Sequence, residues 1–197
     1  KERRDKSRNS YTSEVHKPLR YTQPLPKPQL TPAAKPVIEY PQAPLETILV
    51  IPDWHQCPNH PHRLKAIKWI ARFGSERRIP RVVHLGDWGT FDSVSRHAKN
   101  ETYEARSKPT IQQDIDHLQI SLKTWLEAKD ADWKPKQEFC EGNHEYRANH
   151  FENANPELHG FVHTRIEELF TQYGWRFHKF AEPFYIQNVG FVHHVNN

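Results

Sequence analysis

Three short apolar segments, each running into a polar motif and separated by amphipathic patterns, constrain the fold of this chain most strongly. The first, residues 47–51, is rich in β-branched side chains and stops at a proline. The second covers residues 81–85, the third covers residues 137–140, and a glycine follows each within two positions. The order strand, helix, strand, helix, strand predicts an α/β fold with a parallel sheet.

Helices are predicted where apolar residues recur at three- and four-residue spacing. Residues 64–74 carry one such face. Two further helices are predicted to begin at capping boxes, in which a threonine and the residue three positions on satisfy each other's backbone N–H groups. These boxes are Thr110 with Gln113, and Thr164 with Glu167. Three closely spaced strands are then predicted, at residues 175–180, 184–187 and 190–192.

The first 45 residues differ in composition from the rest of the chain. They hold eight of the 16 prolines, which excludes a helix or a central strand. Residues 1–46 also hold nine Lys or Arg against five Asp or Glu, whereas the remaining residues hold 19 of each. We predict a disordered, Pro-rich basic linker over residues 1–45, leading to an upstream domain, and a folded domain over residues 46–197. Its basic start is also compatible with nucleic acid contact.

Composition argues against membrane and secreted proteins. Mean hydropathy is −0.92, and no stretch approaches the roughly 18 consecutive apolar residues of a membrane span. No charged-then-apolar leader opens the chain. The two cysteines, Cys57 and Cys140, are too few for a disulfide framework and are expected to be reduced thiols. We therefore expect a cytoplasmic protein.

Polar groups of the kinds that bind metal ions follow four of the predicted strands. They are Asp53, His55, Asp87, Asn143, His144 and the pair His193 and His194. Ligands of open α/β sheets gather beyond the carboxyl ends of the strands. Residues two apart on a strand project to the same side, so Asp53 and His55 are expected to converge. Carboxylate, imidazole and amide groups together suit Mn²⁺, Fe or Zn²⁺ rather than a thiolate site.

These motifs resemble those of the calcineurin-like metallophosphoesterases, and most of all the bacterial and bacteriophage members. The matching segments, within residues 46–197, are Asp53-x-His55, Gly86-Asp87, Gly142-Asn143-His144-Glu145 and His193. The resemblance implies a βαβαβ sandwich core and two divalent metal ions. It also implies that Asp53 and His55 bind the first ion and that Asp87 bridges both. Asn143 and His193, the latter preferred over His194, would hold the second ion.

The resemblance further implies a hydrolase that cleaves a phosphate ester. A hydroxide bridging the two ions would attack phosphorus, and His144 would be the catalytic histidine that either hydrogen-bonds the phosphoryl group or protonates the leaving oxygen. Three alternatives remain open from the sequence: a metal-dependent nuclease acting on DNA, a non-catalytic interaction scaffold on the same fold, and a DNA-binding module that uses the basic linker. The substrate is not encoded in any motif.

Two features depart from the family pattern. The second motif continues as Trp88-Gly89-Thr90, so that Asp92 comes two positions late, although the bridging carboxylate is kept. The family's final Gly-His-x-His motif, which gives each ion a further histidine, does not occur before Asn197. Because the first residue is Lys1 rather than Met and the final motif is missing, we expect truncation at both ends. Each metal site would then lack one ligand, so we expect weak metal binding and little activity in this chain.

Four residues beside the ligand series have two interpretations each. Glu145 either orients a ligand from outside the metal site or complements the dipole of a helix N-terminus. Trp54 and Trp88 either stack on an aromatic part of the substrate or pack over the site, and packing is favoured. His84, inside a predicted strand, is expected to be a core residue rather than a ligand.

Overall fold

The computed structural model describes residues 45–57, 60–96 and 106–194. The strands are β1 (Ile48–Ile51), β2 (Arg81–His84), β3 (Lys136–Cys140), β4 (Trp175–His178), β5 (Phe184–Ile186) and β6 (Val189–Phe191). The helices are α1 (Arg63–Glu76), α2 (Ile111–Ala128), α3 (Asn143–Ala154) and α4 (His163–Gln172). Two short 3₁₀ helices cover Asp92–Val94 and Pro156–Leu158. The linker predicted over residues 1–45 lies outside the described residues except for Leu45.

The sheet has four strands in the order β1-β2-β3-β4, all of them parallel. Ile51 lies opposite His84, and His84 lies opposite Phe139, so the carboxyl ends of the first three strands are level with one another. The predicted α/β class with a parallel sheet is therefore confirmed. Strands β5 and β6 form a separate antiparallel hairpin.

Alternate residues of the sheet enter two different clusters, as the two-residue period of a strand requires. On one face, Val82 and Phe139 pack in a core to which all four helices contribute. On the other face, Val83 and Cys140 pack against Ile186 and Phe191 of the hairpin. The sheet is thus covered by helices on one side and by the β5–β6 hairpin on the other.

The two predicted capping boxes have different outcomes. Thr110 and Gln113 form the predicted box, in which Gln113 N donates to Thr110 Oγ1 and Thr110 N donates to Gln113 Oε1. The box predicted at Thr164 is wrong, because α4 begins at His163, two residues earlier than that box requires, and its N-cap is Val162. The carboxylate of Glu152 accepts the N–H groups of Val162 and His163 instead.

Among the described residues, no helix combines the length and the apolar content that a membrane crossing needs. Cys57 and Cys140 are both free thiols, and Cys140 is buried between the sheet and the hairpin. Burial raises the pKa of the Cys140 thiol to about 12, and the nearby Glu138 carboxylate acts in the same direction. Cys140 is therefore a packed, protonated thiol rather than a nucleophile.

Candidate metal centre

The turn after β2 places Asp87 at the centre of the polar cluster. Gly86 and Asp87 both have positive φ angles, +109° and +50°, which reverse the chain immediately after the strand. Aspartate is one of the few residues other than glycine that tolerates this left-handed conformation. The buried Asp87 side chain is 4% exposed, and it points back over the end of the sheet toward the residues that follow β1 and β3.

Asp53 and His55 lie on a loop and not on the strand that the sequence analysis assumed. Strand β1 ends at Ile51, and the backbone N–H groups of Trp54 and His55 both donate to the carbonyl of Asp87, at 3.0 and 2.8 Å. His55 adopts a left-handed φ of 43°. The two side chains still converge, with His55 Nε2 4.0 Å from Asp53 Oδ2. The predicted proximity holds, but its reason is the loop's contact with Asp87.

The two oxygens of the Asp87 carboxylate have different surroundings. Oδ1 accepts the backbone N–H of His144 at 2.9 Å, at the N-terminus of α3. Oδ2 faces three imidazole nitrogens: Nε2 of His55 at 3.6 Å, of His193 at 3.6 Å and of His144 at 3.9 Å. All three distances exceed a good hydrogen bond, for which about 2.7–3.2 Å is typical.

The cluster contains two overlapping groups of candidate metal ligands. His55, Asp87 and His144 form one group, and Asp53, Asp87 and His193 form the other. Within each group the ligand atoms lie within 4.8 Å of one another. Asp87 is common to both. The carboxamide oxygen of Asn143 lies 2.9 Å from His193 Nε2, so it belongs to the second group.

The structure therefore brings together all six residues that the sequence analysis singled out as ligands or catalytic groups. They are Asp53, His55, Asp87, Asn143, His144 and His193. His194 does not join them, and its ring stacks on Phe180. Asp92, the displaced carboxylate of the second motif, is also outside both groups and lies 3.7 Å from Arg147.

Backbone carbonyls fix the ring orientation of two of the histidines. Nδ1 of His193 lies 2.7 Å from the carbonyl of Leu85, and Nδ1 of His144 lies 2.8 Å from the carbonyl of Thr90. A carbonyl only accepts, so in both rings Nδ1 carries the hydrogen and the lone pair is on Nε2. Metal-binding histidines commonly have this arrangement, which suits Nε2 of His193 for coordination, whereas Nε2 of His144 lies 2.9 Å from the Arg147 guanidinium.

Arg147 contacts the site although it lies outside the ligand motifs of the sequence. One turn after His144 on α3, its guanidinium donates to His144 Nε2 at 2.9 Å and to the Thr90 carbonyl at 2.8 Å. Burial lowers the pKa of His144, and Arg147 acts in the same direction while Asp87 opposes it. The i, i+3 spacing from the candidate catalytic histidine is the sequence signal by which Arg147 could have been identified as a neighbour of that ring.

Glu145 connects the two loops that carry Asp87 and Asn143. Its fully buried carboxylate accepts the backbone N–H groups of Asp87 at 3.1 Å, Gly89 at 2.9 Å and Gly142 at 3.2 Å. Burial raises the pKa of Glu145 to about 8, although the Gly89 hydrogen bond opposes the rise. These hydrogen bonds favour the first interpretation of Glu145, in which it orients the ligand-bearing segments. Glu145 contacts those segments through their backbone amides.

Aromatic packing lies beneath the cluster. Trp88 is fully buried and donates to Ser121 Oγ at 2.7 Å, while Trp54 is half-buried and packs edge-on against Trp88 and His84. Burial lowers the pKa of His84 to about 3, so this ring is neutral. The expected packing role is confirmed for Trp88, and His84 is a core residue as predicted.

Comparison of the chain with models of protein families, with curated proteins and with solved structures finds no match.

Proposed function

We propose that this chain is a metal-dependent phosphoesterase of the calcineurin-like type, with two divalent ions (Mn, Fe or Zn) bound at the carboxyl ends of the strands. One observation carries the proposal. Five side chains, contributed after β1, β3 and β6, gather around the single buried carboxylate of Asp87, which follows β2. The helical layer and the opposing hairpin around the parallel sheet are compatible with the sandwich core of that family.

The distances within the cluster fit an ion better than they fit direct hydrogen bonds. Two ligands with bonds of about 2.0–2.2 Å to one ion lie roughly 3–4 Å apart, depending on the angle between them. The three imidazole nitrogens around Asp87 Oδ2 lie in this range, at 3.6–3.9 Å. His193 Nε2 and Asn143 Oδ1 are two acceptors only 2.9 Å apart. A cation shared by these acceptors converts their repulsion into coordination.

The proposed ligand sets keep the assignment that the family resemblance implies, and they divide the two groups differently, because Asp53 lies with His193 and His55 lies with His144. Asp53 and His55 would hold the first ion, Asn143 and His193 would hold the second, and Asp87 would be shared between them. When bound, the two ions neutralise the phosphoryl oxygens and activate a water molecule for attack on phosphorus. Asn143 is neutral, which keeps the net charge of the loaded site positive and favours an anionic substrate.

His144 is proposed as the catalytic histidine. Its Nδ1 is committed to the Thr90 carbonyl, so Nε2, which faces the cluster, is the atom at which this ring would take up a proton or contact the phosphoryl group. Arg147 holds that ring from the side and adds a positive charge near the site of the phosphoryl group. Contacts with Thr90 and Arg147 fix the orientation of the His144 ring, and burial lowers its pKa.

The proposal is tested by metal analysis and hydrolysis on the same samples. The protein is loaded with Mn²⁺, the bound metal is measured by mass spectrometry, and hydrolysis of bis(p-nitrophenyl) phosphate is followed. Asp87→Asn is expected to lose most of the bound metal and at least about 100-fold of the activity, because the shared ligand is removed.

Asp116→Asn is the matched control, since this carboxylate is exposed on α2 and contacts Gln112 instead of the cluster. It is expected to keep both properties. Metal binding without hydrolysis would favour the non-catalytic scaffold. Equal metal content and activity in Asp87→Asn and in the unsubstituted protein would reject the proposed site. The two free thiols are the only support for the cytoplasmic location that we propose.

A further inference from the structure

A cleft of about 240 Å³ adjoins the cluster at His55. Its walls come from the loop after β1 and from the first turn of α1, and they include Trp54, His60, His62 and Arg63. His55 belongs both to this cleft and to the candidate metal ligands. A molecule held at the cluster can therefore extend into the cleft.

The lining of this cleft is suited to a negative charge. It contains three histidines and one arginine, and no Asp or Glu is among the residues that line it. Within the part of the chain that the structure describes, Arg63 forms no ion pair, and its buried Nη1 has no hydrogen-bond partner. A guanidinium N–H without an acceptor is costly, so a rotation of the Arg63 side chain that turns this N–H toward an anion in the cleft would be favoured.

The first turn of α1 adds a second source of positive potential. This helix has 14 residues, its N-cap His62 makes no side-chain cap, and its first turn contains no acidic residue. The helix dipole is therefore uncompensated at the end that borders the cleft. Because the N–H groups of Arg63 and Lys65 already donate to the carbonyls of His60 and His62, the dipole rather than free N–H groups would attract an anion here.

We propose that this cleft is a second anion subsite, which binds a phosphate group adjacent to the one that is hydrolysed. The substrate class is then a phosphate ester with at least two phosphates, either linked directly as a pyrophosphate or spaced along a nucleotide strand. The position of the cleft beside the reaction centre rests on the proposed function, whereas its ability to bind an anion does not. Arg63 is the principal contact, and His60 and His62 complete the polar wall.

Anion binding is measured first on metal-free protein in EDTA, with inorganic pyrophosphate as the calorimetric probe and sulfate as the competitor. Pyrophosphate is expected to bind, and Arg63→Gln is expected to weaken binding about tenfold, the value of a charge-assisted hydrogen bond. Arg63→Lys keeps the charge and is expected to keep most of the affinity. Lys68→Gln is the matched control, because Lys68 is exposed on the same helix and does not line the cleft.

Because Arg63 is partly buried, the folded state of each variant is checked by circular dichroism. If Arg63→Gln does not fold, the exposed residue His62 provides the second test, and His62→Gln is expected to weaken pyrophosphate binding about threefold. Undetectable binding of pyrophosphate at millimolar concentration would overturn the subsite. Equal losses in Arg63→Gln and Lys68→Gln, or equal displacement by sulfate, would show nonspecific charge screening and would also overturn it.

The second arm uses the metal-loaded protein and compares substrates. For a thymidine dinucleotide with a 5′-phosphate, or for a nucleoside diphosphate, Arg63→Gln is expected to raise KM about tenfold with little change in kcat. For bis(p-nitrophenyl) phosphate, which has one phosphate, KM is expected to stay unchanged. The substrate whose KM rises in Arg63→Gln, either the dinucleotide or the nucleoside diphosphate, identifies the source of the second phosphate.

The two arms separate the two proposals. Pyrophosphate binding that depends on Arg63, without hydrolysis of any ester, rejects the proposed function and keeps the subsite. Hydrolysis with equal KM changes for one-phosphate and two-phosphate esters keeps the function and rejects the subsite.

Discussion

Gly142 determines how closely the loop after β3 can approach Asp87. A Cβ atom built on Gly142 would lie 2.1 Å from both the backbone nitrogen and the Oδ1 atom of Asp87. No side chain fits at these distances, so one of the two loops would have to move. Such close approach of two backbones is a principal structural use of glycine.

Gly142→Ala is therefore expected to displace the Asp87 carboxylate, to weaken Mn²⁺ binding at least about tenfold and to destabilise the fold by about 1–3 kcal/mol. Calorimetric metal titration and urea unfolding measure the two effects. Gly190→Ala is the control, since its Cβ would meet only the exposed Tyr185 ring, at 3.0 Å, which can turn away. Unchanged metal affinity in Gly142→Ala would contradict the tight packing of the two loops.

Arg147 acts through His144 and through the Thr90 carbonyl, so its effect depends on the shape of its side chain. Arg147→Gln removes the fork that spans both acceptors, and Arg147→Lys keeps the charge but offers a single point of contact. We expect kcat to fall about tenfold in both variants, because the His144 tautomer with its hydrogen on Nδ1 would be held less firmly. Ring ¹⁵N shifts of His144 measure the tautomer directly. A full recovery of kcat in the lysine variant would show that only the charge matters.

At the scale of elements, apolar periodicity was sufficient to predict helix α2 but not helix α3. Helix α2 has a regular apolar face and a capping box, and both are present in the structure. Helix α3 was not predicted, because its inward positions are occupied by Ala148 and by two carboxylates, Glu145 and Glu152. Each of these carboxylates accepts backbone N–H groups from neighbouring segments, a role that leaves no apolar pattern in the sequence.

For the loops of the candidate metal centre, the sequence likewise predicted what depends on local residue types and missed what depends on long-range contacts. The residue types after each strand predicted which side chains would gather, because parallel strands end on one side of a sheet. The conformation of residues 53–55 was not predictable, since it depends on hydrogen bonds from Trp54 and His55 to the carbonyl of Asp87. That contact joins segments more than 30 residues apart and has no local sequence signal.

Glu152 links α3 to the start of α4. Its carboxylate accepts the N–H groups of Gly160, Val162 and His163, at 2.7, 2.6 and 2.7 Å. Glu152→Gln is expected to destabilise the fold by about 1–3 kcal/mol, because one of these donors loses its acceptor and the charge is removed. Glu168→Gln, on the exposed side of α4, is expected to change stability by less than about 0.5 kcal/mol.

The pH dependence of this link follows from the pKa of Glu152. Burial acts to raise that pKa, but the three N–H groups outweigh burial and hold it below the usual range. The stabilisation is therefore present above the unfolded-state pKa, about 4.3, and is lost as the pH falls through the lower folded-state value. Urea unfolding between pH 7 and pH 3 is expected to show the difference between the original protein and Glu152→Gln shrinking toward zero. A constant difference would contradict the ionised link.

At the scale of the whole molecule, the candidate ligands join segments that are distant along the chain. Asp53 follows β1 and His193 follows β6, which belongs to the hairpin on the other face of the sheet. His193 Nδ1 is 3.8 Å from Asp53 Oδ1, and its Nε2 is 3.6 Å from Asp87 Oδ2. An ion bound here would connect the hairpin to the parallel sheet as a cross-link does.

Divalent metal should therefore raise the thermal stability of the whole described domain. A ligand at 100 times its Kd stabilises the folded state by about 2.7 kcal/mol, which corresponds to a Tm increase of roughly 5–10 °C for a domain of this size. Scanning calorimetry with Mn²⁺ or Zn²⁺ measures the shift, and Asp116→Asn is expected to show it in full. Asp87→Asn is expected to lose it, since the carboxylate common to both ligand groups is gone. His193→Gln distinguishes the role of the hairpin: a shift as large as in the original protein would mean that the metal is held by the sheet loops alone, without the segment after β6.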